Sequence, residues 1–331
     1  MATFLSTSHM TLAQALEYQR WDGSLSFVRE LEKKSRLMQM IPWYPTSDGA
    51  VHKGAKATAL PEGKFGAINK AVPTGYGATT EYTETVGVYE LASFVDTRIL
   101  EGRSTEEANR IREANDRLQL MGFLQGLAKE VITNPGTDAD AVKGLLARRG
   151  SLDDSRVISM GGSGADLGSI LFIRFGEDGV NLRYPSAGAP NLSIQDLGTV
   201  QALQKDSAGK IVGSFPAKET LARCYYGVDI ADDDAFVRVC NVPTKTALST
   251  ANVQLLVDVI NSTLDNVGQG YVAFAPKQII AQFWKYLLDK NNVYFSQREV
   301  EGMGRPVELF GVPFFYEEFM TANEAQLTAS A

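Results

Sequence analysis

Histidine and cysteine are nearly missing from this chain. Of its 331 residues, two are His (His9 and His52) and two are Cys (Cys224 and Cys240). The cysteines lie far outside zinc-ligand spacing, and two thiols do not make a disulfide scaffold, so they read as small buried apolar residues. Both histidines fall in segments that read as flexible, which leaves histidine catalysis and metal binding short of side chains. Tryptophan occurs three times (Trp21, Trp43, Trp284), with no stacking array. No apolar run approaches a membrane span, and the N-terminus lacks a charged-then-apolar signal pattern. The expectation is a chain folded in a cytoplasm with no membrane partner. Positive charge is also in deficit: 32 Lys and Arg against 39 Asp and Glu, a net charge of −7. That balance argues against a dedicated nucleic-acid binder and leaves room only for a weak local basic contact.

Motifs that carry chemistry are absent too. Gly162, Gly164 and Gly168 sit at G-x-G-x-x-x-G spacing, and an apparent strand follows where a dinucleotide loop needs a helix. Ser163 lacks the G-x-S-x-G elbow, and there is neither a phosphate-binding G-x-x-x-x-G-K-[ST] nor an H-E-x-x-H. Asp232-Asp233-Asp234 would point to alternate sides of extended backbone, so a solvated turn is expected and not a cation site. The reading is no catalytic residue, no cofactor, no metal and no enzyme.

What is present begins with one long helix, Ser104 to Thr133. Ser104 stands three residues before Glu107, the capping-box spacing, and Glu106 and Glu107 suit the positive end of the helix dipole. Ala108, Ile111, Ala114, Leu118, Met121, Leu124, Ala128 and Val131 recur at three- and four-residue steps as an apolar stripe. Asn134-Pro135-Gly136 ends it. Such a helix suits a coiled coil, a bundle or a spine on a sheet. The strand-rich segments that follow disfavour a coiled coil, and the lack of partner helices disfavours a bundle. Gly122 and Gly126 mark places where backbone comes close or bends.

Around that helix the chain divides by rhythm. Residues 1–48 read as an arm with short helices, ending in Pro42-Trp43-Tyr44-Pro45, whose aromatics call for a packing partner on another subunit. Residues 49–80 carry glycines, Lys53, Lys56, Lys64 and Lys70, and little apolar mass. A loop of that length is a linker, a lid or an arm reaching a neighbour. Residues 81–100 turn to β character. Three hairpins are expected, with turns at 176–179, 206–209 and 231–234. Residues 250–320 read as a compact α/β unit: a helix at Val253–Asn261, a buried strand at Tyr271–Ala275, a helix opened by Pro276, and an edge or bulged strand around Pro313. The tail after Met320 reads as frayed. A large folded chain with unsupported arms and no chemistry suits a subunit that builds a symmetric assembly.

The sequence resembles the major capsid proteins of tailed bacteriophages with the Hong Kong ninety-seven-type fold. The resemblance is carried by the helix Glu106–Thr133 with Arg112, Glu113 and Met121; Gly144-Leu145-Leu146-Ala147-Arg148; Gly161-Gly162-Ser163-Gly164; Ser169 to Gly176; Tyr184-Pro185; Asp196-Leu197-Gly198; Tyr226-Gly227-Val228; Val237 to Val242; and Phe310-Gly311-Val312-Pro313. It implies an α+β capsid fold: an N-terminal arm (1–48), an extended loop across the next subunit (49–80), a peripheral domain (81–249) with the spine helix 104–133 on a β-sheet, and an α/β axial domain with the C-terminal strand and tail (250–331). It further implies self-assembly into hexamers and pentamers of an icosahedral head enclosing double-stranded DNA. Scaffold, portal and decoration proteins are admitted as partners, DNA contact is weak and non-specific, and the protein resides in the virion after assembly in the host cytoplasm. Some relatives cross-link their loops through Lys and Asn; Lys64 and Asn69 are the right types, but no motif supports that chemistry here and none is expected. Intersubunit contacts are expected at Trp43, Tyr44, Lys53, Lys56, Lys64, Lys70, Arg110 and Arg117. The alternative is an encapsulin-like shell around a cargo enzyme.

Overall fold

The computed structural model describes residues 35–66, 68, 71, 74–187, 192–288, 295–297 and 306–329. His9, Trp21, Asn69 and Lys70 lie outside the described residues, as do residues 1–34 of the expected arm. In chain order come α1 (Arg36–Met40), β1 (Trp43–Pro45), β2 (Val51–Ala59), β3 (Ala78–Thr85), β4 (Gly87–Asp96), α2 (Thr97–Leu100), α3 (Thr105–Thr133) and α4 (Leu145–Arg148). There follow β5 (Val157–Ser159), β6 (Leu167–Arg174), β7 (Val180–Tyr184), β8 (Leu192–Lys205), β9 (Ile211–Ile230) and β10 (Phe236–Pro243). The last part holds α5 (Thr250–Ser262), β11 (Tyr271–Ala275), α6 (Lys277–Leu287), β12 (Phe295–Gln297), β13 (Val307–Leu309) and β14 (Val312–Tyr316).

The strands form two sheets and a separate ribbon. In the five-stranded sheet the order is β1-β7-β9-β4, with β8 also paired to β9. The seven-stranded sheet runs β12-β13-β14-β11-β6-β10-β5, and β2 pairs only with β3. Strand alternation makes the seven-stranded sheet the middle layer of the fold. Leu171 and Ile173 of β6, and Val272 and Phe274 of β11, face one core shared with α3 and the five-stranded sheet. Ile170, Phe172, Tyr271 and Ala273 face the other way, onto Val253, Leu256, Ile279 and Phe283 of α5 and α6. β6 is apolar along nearly its whole length because both faces are covered.

The long helix begins as its sequence dictates. Ser104 Oγ accepts from the Glu107 N–H (3.3 Å) and the Glu107 carboxylate accepts from the Ser104 N–H (3.4 Å). Its apolar stripe differs from expectation. Leu120, Phe123, Leu124, Leu127, Ala128, Val131 and Ile132 are buried, while Leu118 is 70% exposed and Ala114 is also exposed. Only the C-terminal half packs into the core. The N-terminal half lies over β4 and β9 through polar contacts: Asp116 accepts from Ser93 Oγ (3.1 Å) and Thr220 Oγ1 (3.0 Å). Gly126 is where backbone and sheet approach, since a Cβ there would strike the Tyr89 hydroxyl, whereas Gly122 faces open space.

Several expectations fail for one reason: local turn chemistry does not choose a strand's partner. The turns at 176–179 and 231–234 are not hairpins. Each carries the chain from one sheet to the other, β6 to β7 and β9 to β10, and the two crossings touch through the Ala231 N–H and the Gly179 carbonyl (3.0 Å). The turn at 206–209 does close a hairpin, β8 on β9. Because β5, β6 and β10 belong to the seven-stranded sheet, the change of rhythm at 250 is not a boundary between units. Residues 35–48 are not an arm: Leu37, Ile41, Trp43 and Tyr44 are buried and β1 pairs with β7. Pro313 lies on β14, which has neighbours on both sides. Pairing with β11 begins at Phe314, so the missing N–H costs no rung there. The tail is held, not frayed, as far as Leu327, whose N–H donates to Asn241 Oδ1 (2.9 Å), while Glu324 reaches Arg238 (2.7 Å).

Candidate assembly surface

β2 and β3 make a two-stranded ribbon that leaves the body of the chain, with Val51 opposite Thr85 at its base and Ala59 opposite Ala78 at its outer end. Nine residues of extended backbone reach about 30 Å. Beyond the base, little of it touches its own protomer. At the tip, Leu60 is 81%, Ile68 93% and Tyr76 90% exposed, and Phe65 entirely so. Large apolar groups so fully in water are unusual for a monomeric surface and mark a contact site.

The base is clamped to the body by polar contacts. Gly54 has no Cβ to obstruct Tyr82, so the Tyr82 ring lies across the ribbon. Its hydroxyl donates to Asp229 Oδ1 (3.1 Å), and Lys56 Nζ sits 4.9 Å from its centroid. Burial, and the Asp229 carboxylate beside it, push the Tyr82 phenol up. Asp229 is wholly buried and is balanced by Arg183, whose Nη2 lies 2.6 Å from Oδ2. His52 Nε2 stands 3.7 Å from the same carboxylate. Burial first, and the Arg183 cation second, hold the His52 imidazole below its usual value. His52 is thus part of a packed junction and not of a flexible segment. Arg148 on α4 holds Glu84 of β3 with two nitrogens, at 2.5 and 2.7 Å.

The Asp232-Asp233-Asp234 turn supplies a third anchor and corrects the expectation of a merely solvated turn. Asp232 pairs with Arg174 (2.5 Å), Asp233 with Lys56 (3.0 Å) and Arg149 (3.3 Å), and Asp234 with Arg156. Burial works to raise the Asp233 carboxyl, but Lys56 and Arg149 outweigh it and hold it below the usual range. The backbone here is not extended as expected: Asp233–Ala235 form a single 3-10 turn, capped by Asp232, whose Oδ1 accepts from the Asp234 N–H (3.0 Å), and the turn sends each carboxylate to a different cation.

The second exposed surface is the face of the five-stranded sheet turned away from α3. Tyr89 and Ser93 of β4 meet α3, so the alternate residues Val88 and Phe94 face outward, with Tyr225 opposite Val88. All three are substantially exposed. Glu90 and Arg223 pair across the same face.

Of the residues expected at contacts between copies, Trp43 and Tyr44 are buried on their own chain, Trp43 among Leu37, Ile41 and Leu182. Strand pairing with β7 supplies the packing that flanking prolines left open, so neither is an exposed contact. Lys56 is engaged by Asp233 of its own protomer, and Lys53 by Asp48 (3.1 Å). Lys64 is exposed on the loop, and Arg110 and Arg117 are exposed on α3. Sequence reading missed Leu60, Phe65, Ile68 and Tyr76. Their signal was available: large apolar residues inside a glycine-rich stretch that cannot bury them. Cys224 and Cys240 are free and buried, and burial pushes the Cys224 thiol up to about 12. Among the described residues no cluster of His, Cys, Asp and Glu is arranged to hold a metal ion, and no helix is long and apolar enough to cross a membrane.

A spine helix on one sheet, a second covered sheet and a projecting ribbon make up the fold, and solved structures share it. A chain of bacteriophage epsilon15 matches at TM-score 0.55 and 21% identity, over 87% of this chain and 88% of that one. The capsid of bacteriophage JBD30 matches at 0.50 and 11%, over 86% and 91%. An encapsulin complex from Synechococcus elongatus matches at 0.44 and 13%, over 65% and 89%. The two phage likenesses establish the Hong Kong ninety-seven-type fold. The model of the major capsid protein GP7 family matches residues 22–328, and the chain belongs to that family. No curated protein matches the sequence. The protein is a major capsid protein of the tailed-phage kind, a structural component of a self-assembled icosahedral shell. Family membership, not fold likeness, favours this over the encapsulin-like reading.

Proposed function

We propose that copies of this chain join through the ribbon tip, with Leu60, Phe65, Ile68 and Tyr76 closing on the outer sheet face of an adjoining copy around Val88, Phe94 and Tyr225. The observation that carries this is the exposure of those tip residues on a ribbon whose base is held to the body by Arg148–Glu84 and Lys56–Asp233. Lys64 and Lys70 on the loop, and Arg110 and Arg117 on α3, are proposed as polar contacts around the apolar centre, in keeping with interfaces that are apolar within and polar at the rim. Repeated in closed rings, the contact gives hexamers and pentamers. The α3 side with the five-stranded sheet acts as the peripheral unit, and the seven-stranded sheet with α5 and α6 as the axial unit.

The shell encloses double-stranded DNA, assembles in the host cytoplasm, and takes scaffold, portal and decoration proteins as partners. With a net charge of −7, DNA contact is weak, independent of base sequence and lost at raised salt. The role is structural, with no catalytic step. Removing residues 60–77 and joining the ribbon by a tight turn tests the reading by sedimentation. The shortened chain should keep its thermal transition and fail to form large particles. Particles of unchanged size and yield would overturn the tip contact.

A further inference from the structure

Among the described residues, no cation balances the Glu317 carboxylate. Glu317 follows β14, is wholly buried, and its own N–H is committed to the Ala275 carbonyl (2.9 Å). Its Oε2 accepts from Ser35 Oγ (3.1 Å) and from the Leu37 N–H (3.0 Å), and Oε1 receives the Phe319 N–H at 3.5 Å. Ser35 Oγ is also the cap of α1, accepting from the Met38 N–H (3.2 Å). One acidic side chain therefore ties the segment after β14 to the start of α1.

We propose that Glu317 is a pH-set latch on the docking of residues 35–41, holding them tightly when protonated and loosely when charged. The groups that face it are amide and hydroxyl donors of α1 and of the turn after β14. Among the described residues, the charged groups beside it do not neutralise it: Arg36 donates its Nη1 to Gln39 (3.0 Å), and Glu318 is exposed next in sequence. Four donors, the Ser35 hydroxyl and the N–H groups of Arg36, Leu37 and Phe319, favour the anion, but removal from water opposes it more strongly. Burial raises the carboxyl from 4.5 to about 7.

The sign follows from linkage. A carboxyl whose value is higher docked than undocked binds its proton more tightly when docked. Docking is therefore fully stabilised below the undocked value and weakens as pH rises through the docked one. Between pH 6 and pH 8 the opening equilibrium should rise about tenfold. Other segments should show no such change. The latch is a property of the folded chain and does not depend on the ribbon contact proposed above.

Amide hydrogen exchange of the 35–45 peptide, corrected for the intrinsic pH dependence of exchange, reads the opening directly in the full chain. The wild type should lose about tenfold protection from pH 6 to pH 8, while E317Q, always neutral, should show no pH response. Ser35→Ala removes one donor to the anion and should move the midpoint to higher pH. A flat wild-type profile, or an E317Q profile that tracks the wild type, would overturn the proposal. Should E317Q fail to fold, an unmoved midpoint in Ser35→Ala overturns it equally.

Discussion

Arg148 grips Glu84 with both terminal nitrogens of its guanidinium, at 2.5 and 2.7 Å, and so fixes the direction in which the β2–β3 ribbon leaves the subunit. Both side chains are largely shielded from water, where a two-pronged pair is stronger than an exposed one. Arg148→Ala should leave Glu84 without its partner, at a cost of about 1–3 kcal/mol. Chemical denaturation measures that loss. Protease cleavage within 53–80 should quicken in parallel, because the ribbon would swing more freely.

Asp229 is a more severe test of the same junction. It is fully buried against Arg183 and receives the Tyr82 hydroxyl. Asp229→Ala would strand a buried guanidinium, at a cost of about 3–5 kcal/mol. Tyr82→Phe removes only the link to the ribbon and should cost about 1 kcal/mol. Thermal unfolding of the two variants should rank them in that order, and equal effects would mean that the ribbon and the buried pair do not share this carboxylate.

Much of this junction could not be read from the sequence. The capping box at Ser104 and Glu107 is local, so its spacing named both partners correctly. The 206–209 turn was equally legible, since its two strands pair with each other. The other two turns misled, because β6 and β10 find their partners far along the chain and the choice is made by core packing. His52, Glu84, Arg148 and Asp229 carry no spacing signal at all; they come from four separate segments. Trp43 failed in the opposite sense. Its aromatic bulk correctly called for a partner, but three residues of β1 found one within the same chain. Glycine content and thin apolar mass foreshadow the ribbon, while four large apolar residues spread over its tip are too few to give a periodic signal.

Gly126 tests the contact between helix and sheet. Any Cβ there collides with the Tyr89 hydroxyl. Gly126→Ala should therefore destabilise by about 1–3 kcal/mol through overpacking, despite Ala being the better helix former. In a Tyr89→Phe background the same substitution should become neutral or stabilising. A double-mutant cycle by thermal denaturation measures the coupling, and simple additivity would remove this contact from the account.

Ser104→Ala removes one half of the capping box at an exposed helix end and should cost about 1 kcal/mol. The loss should be confined to the first turns of α3, because the buried residues of this helix begin at Leu120. Site-resolved amide exchange would show faster opening near 105–112 and unchanged protection at 123–132.

Assembly through the ribbon tip is the central claim, and electron microscopy of shells formed by the full chain tests it most directly. The expected image is a closed shell in which each ribbon crosses to an adjoining copy and places Phe65 and Tyr76 against its outer sheet face, beside Val88 and Tyr225. Shells in which the tips stand free in solvent, or lie on the subunit that bears them, would contradict it.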